Sequence, residues 1–228
     1  MTDLDGMRVA ITGGFGNLGM ATARVLTQRG GRVALIARGG ARDGPPDAAF
    51  AVTGIDLTDA RAAQLALDQI AAHFGGVDAL VNAAGGFCWE TIADGSADAW
   101  DDMFAANVST ALHASKAALA HFGAGGRIVN VGAAAALKAV AGMGAYAASK
   151  AALMRMTEAL ADELKDRGVT VNAVLPSIID TPQNRADMPS ADYARWVSAE
   201  DIAGVIAFLL SKDARCITGA SLPVTGRL

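Results

Sequence analysis

Arg8-Val9-Ala10-Ile11-Thr12-Gly13-Gly14-Phe15-Gly16-Asn17-Leu18-Gly19 is the stretch that decides the fold. The apolar run Arg8–Thr12 reads as a buried strand. Four glycines break it, and Leu18–Arg29 then continues with helical spacing of apolar residues. Strand, glycine turn and helix in that order let a diphosphate reach a helix N-terminus, where backbone N–H groups have no intrahelical partner. Gly13 is expected to make the tight turn, and Gly19 to allow close helix–sheet contact. Phe15, Gly16, Asn17 and Leu18 complete the expected cofactor-binding turn. A purely structural turn is the alternative.

The same rhythm runs outward from that turn. Strands are expected at Arg32–Ala37, Ala49–Val52, Val77–Asn82, Arg127–Val131, Val169–Val174 and Ile217–Val224. Helices are expected at about 59–74, 97–121, Ala145–Asp166 and from the capping box at Ser198 to Leu210. Residues 39–47, rich in Gly and Pro, read as a loop, and Pro176 to Ser198 as irregular with one short helical piece. Alternation at this spacing implies parallel pairing with right-handed crossovers. The expected fold is α/β, a Rossmann-type doubly wound parallel sheet with helices on both faces. It forms one domain over 1–228, with a substrate loop near 182–198. Sites in such sheets lie at the C-terminal ends of the strands.

Composition excludes several other classes. Nineteen basic against 23 acidic residues leave a formal charge of -4, so nothing draws the chain to nucleic acid or an anionic membrane. No apolar stretch reaches the length of a transmembrane helix, and the first residues do not resemble a signal peptide. Cys88 and Cys216 are far apart and read as free thiols of a reducing compartment, so a cytoplasmic protein is expected. His73, His113 and His121 have no ligand-like spacing, so no metal site is expected.

The chemistry concentrates in Tyr146-Ala147-Ala148-Ser149-Lys150. On a helix a spacing of four puts Tyr146 and Lys150 on one face, about 6 Å apart along the axis. An ammonium there should stabilise phenolate and pull the tyrosine pKa down from about 10, making an acid–base pair. A packed aromatic with a satisfied hydroxyl is the bland alternative. The second strand ends in Ala37-Arg38, with no carboxylate to receive free ribose hydroxyls. Arg38 can instead meet a 2′-phosphate, which favours NADP(H), with NAD(H) possible. Asp56, followed by Leu57, either accepts from the adenine amino group or caps the next turn.

Together these residues resemble the classical short-chain dehydrogenase/reductase family over nearly the whole chain. Thr12-Gly13-x-x-x-Asn17-x-Gly19 resembles its cofactor turn, Asn82-Ala83-Ala84-Gly85 its motif after the fourth strand, and Tyr146-x-x-x-Lys150 its catalytic pair. The resemblance implies that Asn107 holds a water behind Lys150, and that Pro176 and Thr181 flank the nicotinamide. It also implies a homodimer or homotetramer built on the helices at 97–121 and 145–166. Two departures stand out. Asn17 occupies the position of the usual middle glycine, and Ala133 that of the usual serine, so one hydrogen bond to a substrate carbonyl is missing. The C-terminal third is most similar to the dihydropteridine reductase branch. The resemblance thus implies a proton donor, Tyr146, serving hydride transfer to or from a small carbonyl-like or imine-like substrate. Pterin reduction, or a cofactor-binding protein with little turnover, are the alternatives. Trp89, Met143, Met188 and Trp196, with Ala133, are the expected substrate-pocket residues; Phe87 and Tyr193 lie near them.

Overall fold

The structure is a computed structural model and describes residues 3–40 and 50–228. The expected loop beyond residue 40 and Ala49 of the expected third strand lie outside the described residues. A seven-stranded sheet, every neighbouring pair parallel, forms the centre. Its strands are β1 (Arg8–Thr12), β2 (Arg32–Ile36), β3 (Phe50–Val52), β4 (Val77–Asn82), β5 (Phe122–Val131), β6 (Val169–Pro176) and β9 (Ser221–Val224), in the order β3-β2-β1-β4-β5-β6-β9. A separate parallel pair joins β7 (Ile179–Asp180) to β8 (Val197–Ser198). The helices are α1 (Asn17–Gln28), α2 (Ala60–Phe74), α3 (Asp98–Phe104), α4 (Thr110–Leu119), α5 (Gly144–Leu164), α6 (Pro182–Asp187) and α7 (Ala199–Leu210).

Side-chain alternation explains why both faces are covered. In β1 and β2, Ala10, Ala34 and Ile36 join a core with α2, α4 and α5, whereas Val9, Ile11, Val33 and Leu35 join one with α1 and α7. The strands are therefore apolar at nearly every position, as a sheet buried on two sides requires. From β1 the chain winds outward through β2 and β3, then returns to place β4 on the other flank of β1. That reversal opens a crevice beyond Thr12 and Asn82, which are register partners at the C-terminal ends of β1 and β4.

Several boundaries differ from expectation for physical reasons. The helix expected over 97–121 is interrupted by a π-helical turn, Ala105–Ser109, between α3 and α4. The turn adds one residue to the helical period and carries Asn107, which forms hydrogen bonds outside the helix. β5 begins at Phe122, five residues early, with an irregular register between Val77 and Ala79. β9 begins at Ser221 because Ile217–Gly219 meet β6 by other means. Val171 donates to Thr218 Oγ1, Asn172 donates to the Ile217 carbonyl, and Gly219 has φ +74°. The supposedly irregular 176–198 segment holds β7, α6 and β8. Ser198 caps α7 as expected, accepting from Asp201 N at 3.0 Å.

At the opposite end of the sheet, Arg8 ties the start of β1 to the start of β4. Its Nε donates to Asp78 Oδ2 at 2.8 Å and its Nη2 to Oδ1 at 2.6 Å. The Arg8 guanidinium holds the Asp78 carboxyl below the usual carboxylate range. A depressed carboxylate stabilises the fold above its unfolded pKa of about 3.9 and loses that effect as pH falls through the folded value. Asp78→Asn should therefore lower the thermal midpoint by about 2–4 °C at pH 7, the shift that about 1 kcal/mol gives a chain of this size. The gap from wild type should close below about pH 3.9. Thermal scans of both proteins from pH 3 to pH 8 check this.

Candidate active site

The glycine turn is built around missing Cβ atoms. Gly13 has φ +63°, and a Cβ there would stand 2.8 Å from Ala84 N, so β1's turn packs against the residues after β4. A Cβ on Gly14 would meet Leu35 Cβ at 2.6 Å, and one on Gly19 would meet Gly14 O at 2.9 Å. Gly19 thus brings α1 against the turn itself, rather than against the sheet as expected. Thr12 Oγ1 accepts from Ala84 N at 3.1 Å and fastens the two strand ends. α1 has Gly16 as its N-cap, with no side-chain cap and no acidic residue in its first turn. Its first N–H groups and positive dipole end are left to an anion. Asn17 needs no glycine-like backbone: it is the first residue of α1, so the departure from the usual glycine costs no strain. Phe15 and Leu18 pack partly against the core.

Across the crevice, Asn107 ties three elements together. Its Oδ1 accepts from Gly86 N at 2.9 Å, and its Nδ2 donates to Gly86 O at 3.1 Å and to Ser149 Oγ at 3.0 Å. Ser149 in turn donates to the Tyr146 carbonyl at 2.8 Å. The π turn, the segment after β4 and the α5 face that carries Tyr146 are locked together by one buried side chain. Asn107 is 1% exposed, and these bonds give its side chain a positioning role. Gly85 completes the arrangement: a Cβ there would stand 2.6 Å from Asn107 Oδ1 and 3.3 Å from Lys150 Nζ. Ser149 and Gly86 were missed from the sequence. Ser149 sits inside the quoted pentapeptide, but only the π turn brings Asn107 to it.

Tyr146 and Lys150 share a face of α5, with Lys150 Nζ 5.9 Å from the centre of the Tyr146 ring. The electrostatics differ from expectation. Lys150 is buried, its Nζ donates a hydrogen bond to Val131 O at 2.8 Å, and burial lowers its pKa to about 8. Burial pushes the Tyr146 phenol up to about 12, the opposite direction to that expected from a neighbouring ammonium. Tyr146 is a protonated acid at neutral pH.

The remaining expected residues divide. Asn82 lies in the core, donating to Ser115 Oγ at 3.0 Å and Asn130 Oδ1 at 2.9 Å, so its side chain joins β4 to β5 rather than facing the crevice. Ala83 and Ala84 meet the glycine turn. Arg38 is 74% exposed and lies 3.3 Å from Asp56 Oδ1. Asp56 accepts from Thr58 N and Oγ1, capping its turn, and those bonds hold its carboxyl below the usual range. The Leu57 side chain is core. Pro176 ends β6, and Thr181 caps α6 by accepting from Asn184 N at 3.1 Å. Trp89 and Met143 come together through a bridge between Glu90 and Met143. Ala133 is buried at the end of β5. Trp196 is 8% exposed and packs on Tyr193, with its backbone against Gly226 of the C-terminal segment. Met188 is the C-cap of α6, its N–H donating to Asn184 O at 3.0 Å. The three histidines have structural partners in Phe50, Leu57 and Asp68.

Residues 7–191 match the family described as short chain dehydrogenase. The chain belongs to that family. It is 34% identical to 2-(S)-hydroxypropyl-CoM dehydrogenase 3 of Xanthobacter autotrophicus, over 96% of this chain and 94% of that one. It is 32% identical to the 3-oxoacyl-(acyl-carrier-protein) reductase FabG of Salmonella typhimurium, over 97% of both. A short chain dehydrogenase from Burkholderia cenocepacia, solved in complex with NADP, superposes with a TM-score of 0.89 at 37% identity and covers 98% of both chains. The protein is thus an oxidoreductase of the short-chain dehydrogenase/reductase type. No described helix is long and apolar enough to cross a membrane.

The residues present fit a dinucleotide: the cradle at Gly13, Gly14 and Gly19 has no room for Cβ atoms, and the uncapped end of α1 faces outward. Gly19 is helical, so alanine there would gain up to about 1 kcal/mol of helix propensity. The contact with turn backbone, which cannot yield as a side chain can, outweighs this. Gly19→Ala should weaken NADPH binding more than about tenfold, or 1.4 kcal/mol, as read by fluorescence titration. Wild-type affinity in the variant would contradict the cradle.

Proposed function

We propose that the protein is an NADP(H)-dependent oxidoreductase that interconverts a small carbonyl-like or imine-like substrate and its reduced form, with Tyr146 as proton donor and acceptor. The observation that carries this reading is the placement of Tyr146 and Lys150 on one face of α5, a helix tied by Asn107 to the segment after β4, across the crevice from the close-packed Gly13, Gly14 and Gly19. The names of the relatives, one a dehydrogenase and one a reductase, agree with it.

The bound dinucleotide supplies or accepts hydride. Every other task falls to the chain. The N–H groups that open α1, with Gly13, Phe15, Gly16, Asn17, Leu18 and Gly19 around them, hold the diphosphate. Arg38, exposed and only loosely engaged by Asp56, turns to a 2′-phosphate. Ala83, Ala84 and Gly85 form the wall beside the ribose, and Pro176 and Thr181 the wall beside the nicotinamide. Lys150 holds ribose hydroxyls and stabilises charge at Tyr146. Tyr146 holds the proton at its hydroxyl and passes it to the oxygen or nitrogen that gains charge.

A second reading, reduction of a pterin-like ring, is favoured by Ala133, a buried alanine that leaves no hydroxyl where the family's serine would stand. Exposed Trp100, Phe104 and Leu112 on α3 and α4 support a homodimer or homotetramer. The free thiols Cys88 and Cys216 support a cytoplasmic setting.

A panel of ketones, quinones and quinonoid dihydropterins with NADPH tests the reading. Tyr146→Phe should cut turnover by about 100-fold or more at unchanged NADPH affinity, the scale of general acid catalysis. Arg38→Asp should weaken NADPH more than about tenfold and NADH less. Full activity in Tyr146→Phe would contradict the mechanism. Tight NADPH binding without turnover on any substrate would favour a cofactor-binding regulatory or structural protein instead.

A further inference from the structure

The segment that follows β4 is tied at both ends. Asn107 takes both backbone groups of Gly86, at 2.9 and 3.1 Å. Four residues on, Glu90 N donates to Gly142 O at 2.8 Å, ahead of α5. Between these anchors stand Phe87, Cys88 and Trp89. Trp89 is fixed separately: its indole fills the space where a Cβ on Gly142 would stand, 2.7 Å from Trp89 Cδ2, and Gly142 has φ +78°. Neither a side chain nor an ordinary backbone at position 142 would permit that contact.

Phe87 therefore projects from a backbone with little freedom, and its ring meets the Tyr146 ring edge to face, with centroids 5.0 Å apart and planes at 78°. Yet Phe87 is 58% exposed, and its neighbour Trp89 is 62% exposed. A fixed aromatic ring beside the proton donor, with its free surface in water, gains stability only when something apolar covers it. Charge is directed elsewhere: Glu90 accepts from Ser96 N at 2.8 Å, and Lys150 Nζ donates a hydrogen bond to Val131 O.

We propose that Phe87 is a specificity-determining residue, selecting substrates that carry a flat apolar ring next to the reacting carbon and stacking that ring on its own. This rests on the reading of Tyr146 as the proton donor. The Gly86 and Glu90 anchors fix the ring so that a substrate ring lying on it brings its carbonyl or imine toward the Tyr146 hydroxyl.

The test compares acetophenone with cyclohexyl methyl ketone, nearly equal in size but not in flatness, and with butanone. Wild type should prefer acetophenone in kcat/KM. Phe87→Ala should lose about tenfold on acetophenone, the combined scale of one aromatic contact and its buried area, and much less on butanone. Phe87→Trp should retain the preference and Phe87→Leu should lose it. Equal losses on all three ketones, or no loss, would overturn the assignment. NADPH affinity should stay at the wild-type value in every variant, which separates this failure from failure of the oxidoreductase reading. If none of the ketones turns over, calorimetric binding of 1-phenylethanol and 1-cyclohexylethanol to the NADP-bound protein decides the question. A phenyl preference that disappears in Phe87→Ala supports the assignment; equal affinities overturn it.

Discussion

The site depends on a single amide, Asn107, bonded on three sides. A regular helix turns its side chains at a fixed period, and α3 and α4 alone would not place this amide between Gly86 and Ser149. The π turn shifts the period by one residue there. The amide then holds the segment after β4 with two hydrogen bonds and α5 with a third. A buried amide left partly unsatisfied costs about 1–3 kcal/mol, so the three partners and the amide specify one another. Tyr146, Lys150, Gly85 and Phe87 all take their positions from elements that meet at this point.

On the other side of the crevice the constraint is steric. Gly13, Gly14 and Gly19 exist as glycines because backbone or Leu35 occupies the space that a Cβ would take. The two halves meet where Thr12 Oγ1 receives the N–H of Ala84. A ligand lying across this crevice would contact backbone on one side and the Tyr146–Lys150 face on the other. The desolvation that raises the Tyr146 phenol and lowers Lys150 comes from the same close packing.

Much of this was legible in the sequence. Continuous apolar strands separated by helical periodicity gave the parallel sheet, and the order of elements placed the crevice beyond β1 and β4. The glycine turn, Tyr146 and Lys150 were readable because each needs a specific residue type at a specific spacing. What remained hidden depends on tertiary contact. Asn107 was marked by the family resemblance, but its π turn and its bonds to Gly86 and Ser149 were not readable. Asn82 belongs to a motif, but its side chain turns into the core toward Ser115 and Asn130. The burial of Trp196, packed on Tyr193, was not readable either. The direction of the Tyr146 shift was also beyond the sequence, since spacing reveals the nearby charge but not the burial that raises the phenol.

Amide hydrogen exchange at Gly86 tests the central claim most directly, because that N–H gives its proton to Asn107 Oδ1. The account predicts strong protection at Gly86 in the wild-type protein. In Asn107→Ala that protection should fall to the level of an open loop, while the Leu80 amide inside β4 stays protected. Equal protection of Gly86 in both proteins would contradict the claim that Asn107 holds the site together.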